Sequence, residues 1–314
     1  MTSEPKIAVL LPAYNEAATI AAVVRDFQKA LPHACVYVFD NNSSDATAAE
    51  ASRAGAVVHT VAIQGKGNVV RRMFADIDAD AYVMADGDGT YEVTEAPAMV
   101  NRLFTEGLDM VVGARQHLDE AAYRPGHVWG NRLLTSAVTL IFGRSIRDML
   151  SGYRVFSKRY AKSFPAHSHG FEIETELTVY ALRMRLPVAE VPSFYHARPE
   201  GSQSKLNTWR DGLKISWRIL SLFKSERPLL FFSLCAATSA LIALVLAIPL
   251  VTTFMRTGLV PRFPTAILCA SLMLLAAIFM VCGLILDAVT KARDESKRTT
   301  YLAISAPKKS MGRD

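Results

Sequence analysis

The sequence predicts an α/β domain with a mostly parallel sheet, followed by an interfacial amphipathic helix and a two-helix transmembrane hairpin. Three observations carry this reading. Between Ile7 and Phe194, short apolar runs alternate with stretches of helical spacing, the pattern of a sheet covered by helices on both faces. Two later stretches hold no charge: Leu229 to Met255, 27 residues, and Phe263 to Leu286, 24 residues. The charge is also split unevenly. Residues 1–206 hold 21 Lys and Arg against 23 Asp and Glu, whereas residues 207–314 hold 14 against 6.

The elements follow in order. Ile7–Leu11 reads as a strand ending at Pro12, and Ala17–Ala30 as a helix. Val36–Phe39 is a strand ending at Asp40; Ala46–Ala54 is a helix that stops at Gly55. Ala56–Val61 is a strand, Asn68–Asp76 a helix, and Ala81–Ala85 a strand ending at Asp86. Glu95–Thr105 is a helix and Met110–Val112 a strand. Gln116–Trp129, with its His, Pro and Gly, reads as a loop, and Asn131–Phe142 as a helix. Phe171–Met184 is a helix and Val188–Phe194 a strand. In open sheets of this kind, ligands sit beyond the carboxyl ends of the strands. The polar clusters fall there, after Leu11, Phe39, Ala85 and Val112.

The length of 314 residues and the 51% hydrophobic content exclude a disordered chain, a disulfide miniprotein and a collagen-like repeat. Both charge-free runs exceed the roughly 20 residues that a bilayer core requires. Arg256 to Arg262 between them is a short hairpin. Lys214, Arg218, Lys224 and Arg227 precede the first run; Lys291, Arg293, Lys297 and Arg298 follow the second. The positive-inside rule then sets both termini in the cytoplasm. Met1 to Lys6 has no basic start leading into an apolar stretch, so no signal peptide is expected. The four cysteines show no metal or disulfide spacing. The expected layout is a catalytic domain at 1–206, an interfacial helix at 207–227, spans near 229–253 and 264–286 within 228–287, and a basic tail at 288–314. Trp209, Leu213, Trp217 and Leu220 share the apolar face of that interfacial helix. With the positive charge confined to the membrane-facing third, no nucleic-acid partner is expected.

Asp86-Gly87-Asp88 closes an apolar strand. Two carboxylates one residue apart on a turn can hold Mg²⁺ or Mn²⁺ and the diphosphate it bridges. Pro12-Ala13-Tyr14-Asn15-Glu16 follows the first strand, Asp40-Asn41-Asn42-Ser43-Ser44-Asp45 the second, and Gly65-Lys66-Gly67-Asn68 opens a helix after the third. In this order the motifs resemble those of the family 2 glycosyltransferases of GT-A fold. The likeness continues through Gly113-Ala114-Arg115, Asp148-Met149-Leu150-Ser151-Gly152-Tyr153-Arg154 and Gly201-Ser202-Gln203-Ser204-Lys205-Leu206. These later segments resemble the branch of dolichol-phosphate mannose synthase and bacterial polyprenyl-phosphate sugar synthases.

The resemblance implies sugar transfer from a nucleotide sugar to a polyprenyl phosphate at the cell inner membrane, and assembly into homo-oligomers through the membrane helices. Asp40 is placed to accept a hydrogen bond from the base, with Pro12 and Tyr14 packing it and Glu16 near the ribose or base. Lys66 and Arg71 are candidate diphosphate ligands, and the resemblance adds Lys205. Arg115, Arg132 and Ser136 are the candidates for the acceptor phosphate. Arg132 and Ser136 share a helix face at a spacing of four, and arginine suits phosphate by its bidentate fork. Asp88 and Arg132 are expected to matter most for turnover. Glu172, Glu174 and Glu176 are a candidate second metal site, although a polar helix face accounts for Glu172 and Glu176. Thr90 stands where the mannose synthases have Gln, and Asn41 where an Asp is usual. These departures leave the metal's ligand set and the donor open among UDP-glucose, UDP-galacturonate and UDP-N-acetylhexosamine.

Overall fold

The computed structural model describes residues 4–117, 136, 146–168, 170, 172–195, 220, 221 and 223–306. Its chain divides into two compact units, Met1–Thr208 with Lys297–Asp314, and Trp209–Ser296.

The first unit is built on a seven-stranded sheet. Its elements are β1 (Ile7–Ala13), α1 (Ile20–Ala30), β2 (Cys35–Asp40), α2 (Thr47–Arg53), β3 (Val57–Thr60), α3 (Lys66–Asp76) and β4 (Ala81–Met84), then α4 (Ala96–Thr105), β5 (Met110–His117), β6 (Arg154–Ser157), α5 (Lys158–Ser163), α6 (Ile173–Arg183) and β7 (Val188–Tyr195). The strand order is β3-β2-β1-β4-β6-β5-β7. All neighbouring pairs are parallel except β4 with β6 and β5 with β6. β4 is buried at every position, as expected of a central strand covered on both faces. α1 buries Ile20, Val23, Val24 and Phe27, the i, i+3, i+4, i+7 stripe of an amphipathic helix. Phe27 is fully buried against the Tyr153 ring, a burial worth roughly 1.5–3 kcal/mol. At the other end of the sheet, Lys162 donates to the carbonyls of Phe74 and Ile77 and so caps α3.

Two elements depart from the sequence reading. β5 runs on to His117, paired with β7 through Tyr195, so Gln116 and His117 belong to a strand, where a loop was expected. β6 and α5 were not anticipated. Arg154-Val155-Phe156-Ser157 is short and starts on a charge, yet all four residues are buried. Of the expected helix at Asn131–Phe142, only Ser136 lies within the described residues, helical and exposed.

β6 decides where the site forms. It runs against its neighbours, with Arg154 paired to both Met84 and Val112. The segment entering β6 therefore arrives at the carboxyl ends of β4 and β5. Sequence positions 148–153 are thereby brought beside 86–88 and 113–115.

Two helices, α7 (Pro228–Thr257) and α8 (Phe263–Leu302, of which 263–296 belong to the second unit), are long and apolar enough to cross a membrane; α8 extends well past the apolar run. Ala236 and Ala243 on α7, and Ala276 and Gly283 on α8, are the buried positions together with Pro228. A Cβ on Gly283 would lie 3.0 Å from Phe232 Cβ, so small residues allow these helices to approach. Pro249 lies inside α7; Thr252 and Thr253 both donate to its carbonyl. Gly258 ends α7 with φ of 69°, the left-handed cap that glycine adopts without penalty. Of the expected helix at 207–227, residues 220, 221 and 223–226 are described as helical; Trp209, Leu213 and Trp217 lie outside the described residues.

Candidate active site

The loops after β1 and β2 are laced together. Asn15 N–H donates to Ser43 Oγ at 2.9 Å, Ser44 N–H returns to Asn15 Oδ1 at 2.9 Å, and Glu16 N–H donates to Thr47 Oγ1 at 2.8 Å. Asn15 has φ of 56°, a left-handed conformation that Asn tolerates better than most residues. Tyr14 stands half exposed above this lacing, and Pro12 precedes it on β1. Asp40 is buried; its Oδ2 accepts from Ser43 N–H at 3.2 Å. Its Oδ1 is buried without a hydrogen-bond partner. A buried oxygen of this kind is costly unless a ligand satisfies it.

Asn41 does not face outward with Asp40. It is buried, its amide donates to the carbonyls of Val61 and Ile63, and its Oδ1 accepts from Gly65 N–H. Both donors and the acceptor thus shape the loop that presents Lys66. Gly65 has φ of 125°, a region open to glycine alone in practice.

Lys66 is the centre of charge. Its Nζ lies 2.5 Å from Asp86 Oδ1 and 2.5 Å from Glu174 Oε1. Burial works against its charge, but the two carboxylates outweigh burial and hold it protonated well above the usual lysine range. Asp86 is walled by Gly152, where a Cβ would lie 2.6 Å from Asp86 Oδ2. Gly152 N–H in turn donates to Tyr91 Oη at 2.9 Å. Gly87 is similarly confined by Ile20 and the Pro12 carbonyl, and Thr19 donates to the Gly87 carbonyl at 2.8 Å. Asp88 is buried. Thr90 donates to its Oδ1 twice, from the hydroxyl at 2.6 Å and from N–H at 3.2 Å. Thr90 therefore orients Asp88, a different task from that of a metal ligand.

These carboxylates suit a divalent cation. The donors are hard oxygens, the Asp86 carboxylate already draws a cationic partner, and the glycine wall keeps its approach open. Among the described residues, no three metal-ligating side chains cluster. The second metal site expected at Glu172–Glu176 does not form: Glu174 is committed to Lys66, and Glu176 accepts from the N–H groups of His167 and Ser168.

Arg115, expected to meet the acceptor phosphate, forms a bidentate pair with Asp148 at 2.7 and 2.8 Å and lies over the Tyr195 ring. Burial alone would raise the Asp148 carboxyl; Arg115 overrides it and holds it below the ordinary value. Arg71 donates Nε and Nη2 to the Ala166 carbonyl, a brace on the loop before α6. Ser136 is exposed. Arg132 and Lys205 lie outside the described residues.

Sequence reasoning missed three supports of the site: Glu174 as the partner of Lys66, Gly152 as the wall of Asp86, and Asp148 as the partner of Arg115. In the sequence the Asp148–Arg154 segment reads only as a motif, because its contacts depend on the direction of β6.

Residues 8–164 match the family model for glycosyl transferase family 2. The chain belongs to that family. The glycosyltransferase AglJ of Haloferax volcanii is 38% identical over 254 residues, covering 79% of this chain and 82% of that protein. Dolichyl-phosphate beta-glucosyltransferase of Saccharomyces cerevisiae is 25% identical, covering 67% and 72%. Glucosyl-3-phosphoglycerate synthase from Mycobacterium tuberculosis, solved with Mn²⁺, uridine diphosphate and glucosyl-3-phosphoglycerate, superposes with a TM-score of 0.56 at 24% identity, covering 71% of this chain and 80% of that one. This last likeness shows the GT-A fold. The family 2 chain is thus a glycosyltransferase whose fold presents Asp40, Lys66, Asp86 and Asp88 beyond neighbouring strand ends.

Proposed function

We propose that this enzyme transfers a sugar from a nucleoside-diphosphate sugar, probed first as the UDP form, to a polyprenyl monophosphate, with inversion at the anomeric carbon. The observation that carries the reading is the row of carboxyl ends of β2, β1 and β4. There Asp40 holds an unpartnered buried oxygen, Tyr14 is half exposed just past β1, and Lys66 meets Asp86 of the turn after β4. The relative named for dolichyl-phosphate glucosyl transfer and two membrane-length helices support a lipid acceptor.

Asp40 Oδ1 accepts the imide N–H of the base, and Tyr14 and Pro12 pack its face. Glu16 lies with them toward the ribose. Lys66 and Lys205 hold the diphosphate, with Arg71 bracing the adjoining loop. Asp86 and Asp88 would hold Mg²⁺ or Mn²⁺, which when bound supplies charge to stabilise the departing diphosphate. Arg115, Arg132 and Ser136 receive the acceptor phosphate. A phosphate monoester, with a second pKa of about 6, is already anionic near neutral pH and needs no general base. Catalysis then rests on positioning two anions and on charge stabilisation. The catalytic domain and both termini lie on the cytoplasmic face of the inner membrane.

The test incubates purified enzyme with labelled UDP-sugars, Mn²⁺ or Mg²⁺, and polyprenyl phosphate. Label is expected in an acid-labile lipid phosphate. Label entering a saccharide or glycolipid instead would replace this acceptor. Arg132→Ala should raise the requirement for lipid phosphate more than that for nucleotide sugar; the reverse would move Arg132 to the donor side.

A further inference from the structure

Asp86 has two claimants. The reading above gives it to a divalent cation, while the structure gives it to the ammonium of Lys66. In a partly desolvated site, two cations on one carboxylate repel strongly, so Lys66 must yield when the metal arrives. Only Glu174 is placed to receive it among the carboxylates that Lys66 touches. The side chains of Lys66 and Glu174 are 10% and 7% exposed, so neither can swing freely into water. Glu174 is itself firmly held: its carbonyl accepts from Arg154 at 3.2 Å and from Thr178 at 3.1 Å.

We propose that Lys66 is the resident counter-ion of Asp86, and that Glu174 is the positioning residue that retains Lys66 when a divalent cation displaces it. The inference rests on the assignment of Asp86 to the metal. It gives the exchange a direction. Empty, the site stores its cation internally, and the partly buried Asp86 carboxylate is never left unpaired. Loaded, the ammonium stays tethered beside the site, available to the diphosphate.

The experiment is a Mn²⁺ titration of the purified full-length protein, followed by electron paramagnetic resonance of free Mn²⁺, with no nucleotide, sugar or lipid present. Lys66→Met should bind Mn²⁺ about tenfold tighter than wild type, because the competitor is gone. Glu174→Gln should bind about tenfold more weakly, because Lys66 is left with Asp86 alone; tenfold corresponds to one strong charged contact. In the Lys66→Met background, Glu174→Gln should shift binding by less than about threefold, since no ammonium remains to be held. An equal effect of Glu174→Gln in both backgrounds overturns the proposal, as does Lys66→Met binding no tighter than wild type. If Glu174→Gln fails to fold by circular dichroism, the same cycle is run with Glu174→Asp, which withdraws the carboxylate from Lys66 while keeping its charge. Adding Asp86→Asn to Lys66→Met should remove the gain; a gain that persists would sink the metal assignment itself. A different sugar acceptor would leave all these values unchanged.

Discussion

Three hydrogen bonds converge on the amide of Asn41, two donated to Val61 and Ile63 and one accepted from Gly65. A carboxylate has no N–H to donate, so Asn41→Asp would set anionic oxygens against two carbonyls. We expect kcat/KM to fall about tenfold through misplacement of Lys66, with melting lowered by a few degrees, roughly what 1 kcal/mol produces. Gly152→Ala is a sharper test, because its Cβ would lie 2.6 Å from Asp86 Oδ2. Mn²⁺ binding and turnover should drop at least about 100-fold, scaled to the cost of displacing a carboxylate by an ångström, while circular dichroism stays native. Asp148 provides a pH signature. Its folded-state carboxyl lies below the ordinary value of 3.8, so the unfolded chain binds the proton more readily. The stabilisation is therefore complete above pH 3.8 and is lost as pH falls through the lower folded value. Asp148→Asn should lower stability at pH 7 by about 3 kcal/mol and flatten the acid limb of the melting profile. The placement of Asp40 at the end of β2, and of Asp86 and Asp88 in the turn beyond β4, is legible from the sequence because each follows an apolar run. Asn41 was not: its departure from the usual Asp looked like a change in base recognition, and only the fold of residues 61–65 reveals two carbonyls in want of donors.

At the scale of elements, β6 and α6 matter through one buried side chain. Arg154 is fully buried and donates to the carbonyls of Met149, Ser151 and Glu174 and to the Thr178 hydroxyl. It ties the segment carrying Gly152 to the first turn of α6, which carries Glu174. Arg154→Met would remove these bonds from a buried cluster; the Glu174 carbonyl keeps Thr178, and each acceptor left unsatisfied costs about 1–3 kcal/mol. A large fall in melting temperature is expected, with loss of Mn²⁺ binding in whatever folds. β1, β2 and β4 could be read from sequence because their apolar runs are continuous and end on polar clusters. β6 could not. Its four residues are too few for a period, and its leading arginine imitates a loop. The burial of that charge is compensated by backbone acceptors that no sequence pattern displays.

For the whole molecule, the charge split leaves the first two thirds near neutral and the last third, which holds the two long apolar helices, basic. α7 and α8 expose apolar side chains along most of their length, among them Leu241, Leu244, Ile248, Leu274 and Ile285. If these helices span the bilayer, as proposed, the apolar contact outweighs the electrostatic one. The protein should stay with membranes in about 1 M salt, where the Debye length is only about 3 Å, and leave them only in detergent. Release by salt would show a peripheral attachment. The position of β6 has a further consequence, in the order of synthesis. β1 to β4 emerge in sequence, and every pairing among them is available once β4 has been made. One edge of β4 then stays open until Arg154–Ser157 emerges, about seventy residues later. Gly152 and Glu174 arrive only with and after that strand. A nascent chain therefore holds the laced loops after β1 and β2, and the Asp86–Asp88 turn, before it holds the glycine that walls Asp86 and the carboxylate that partners Lys66.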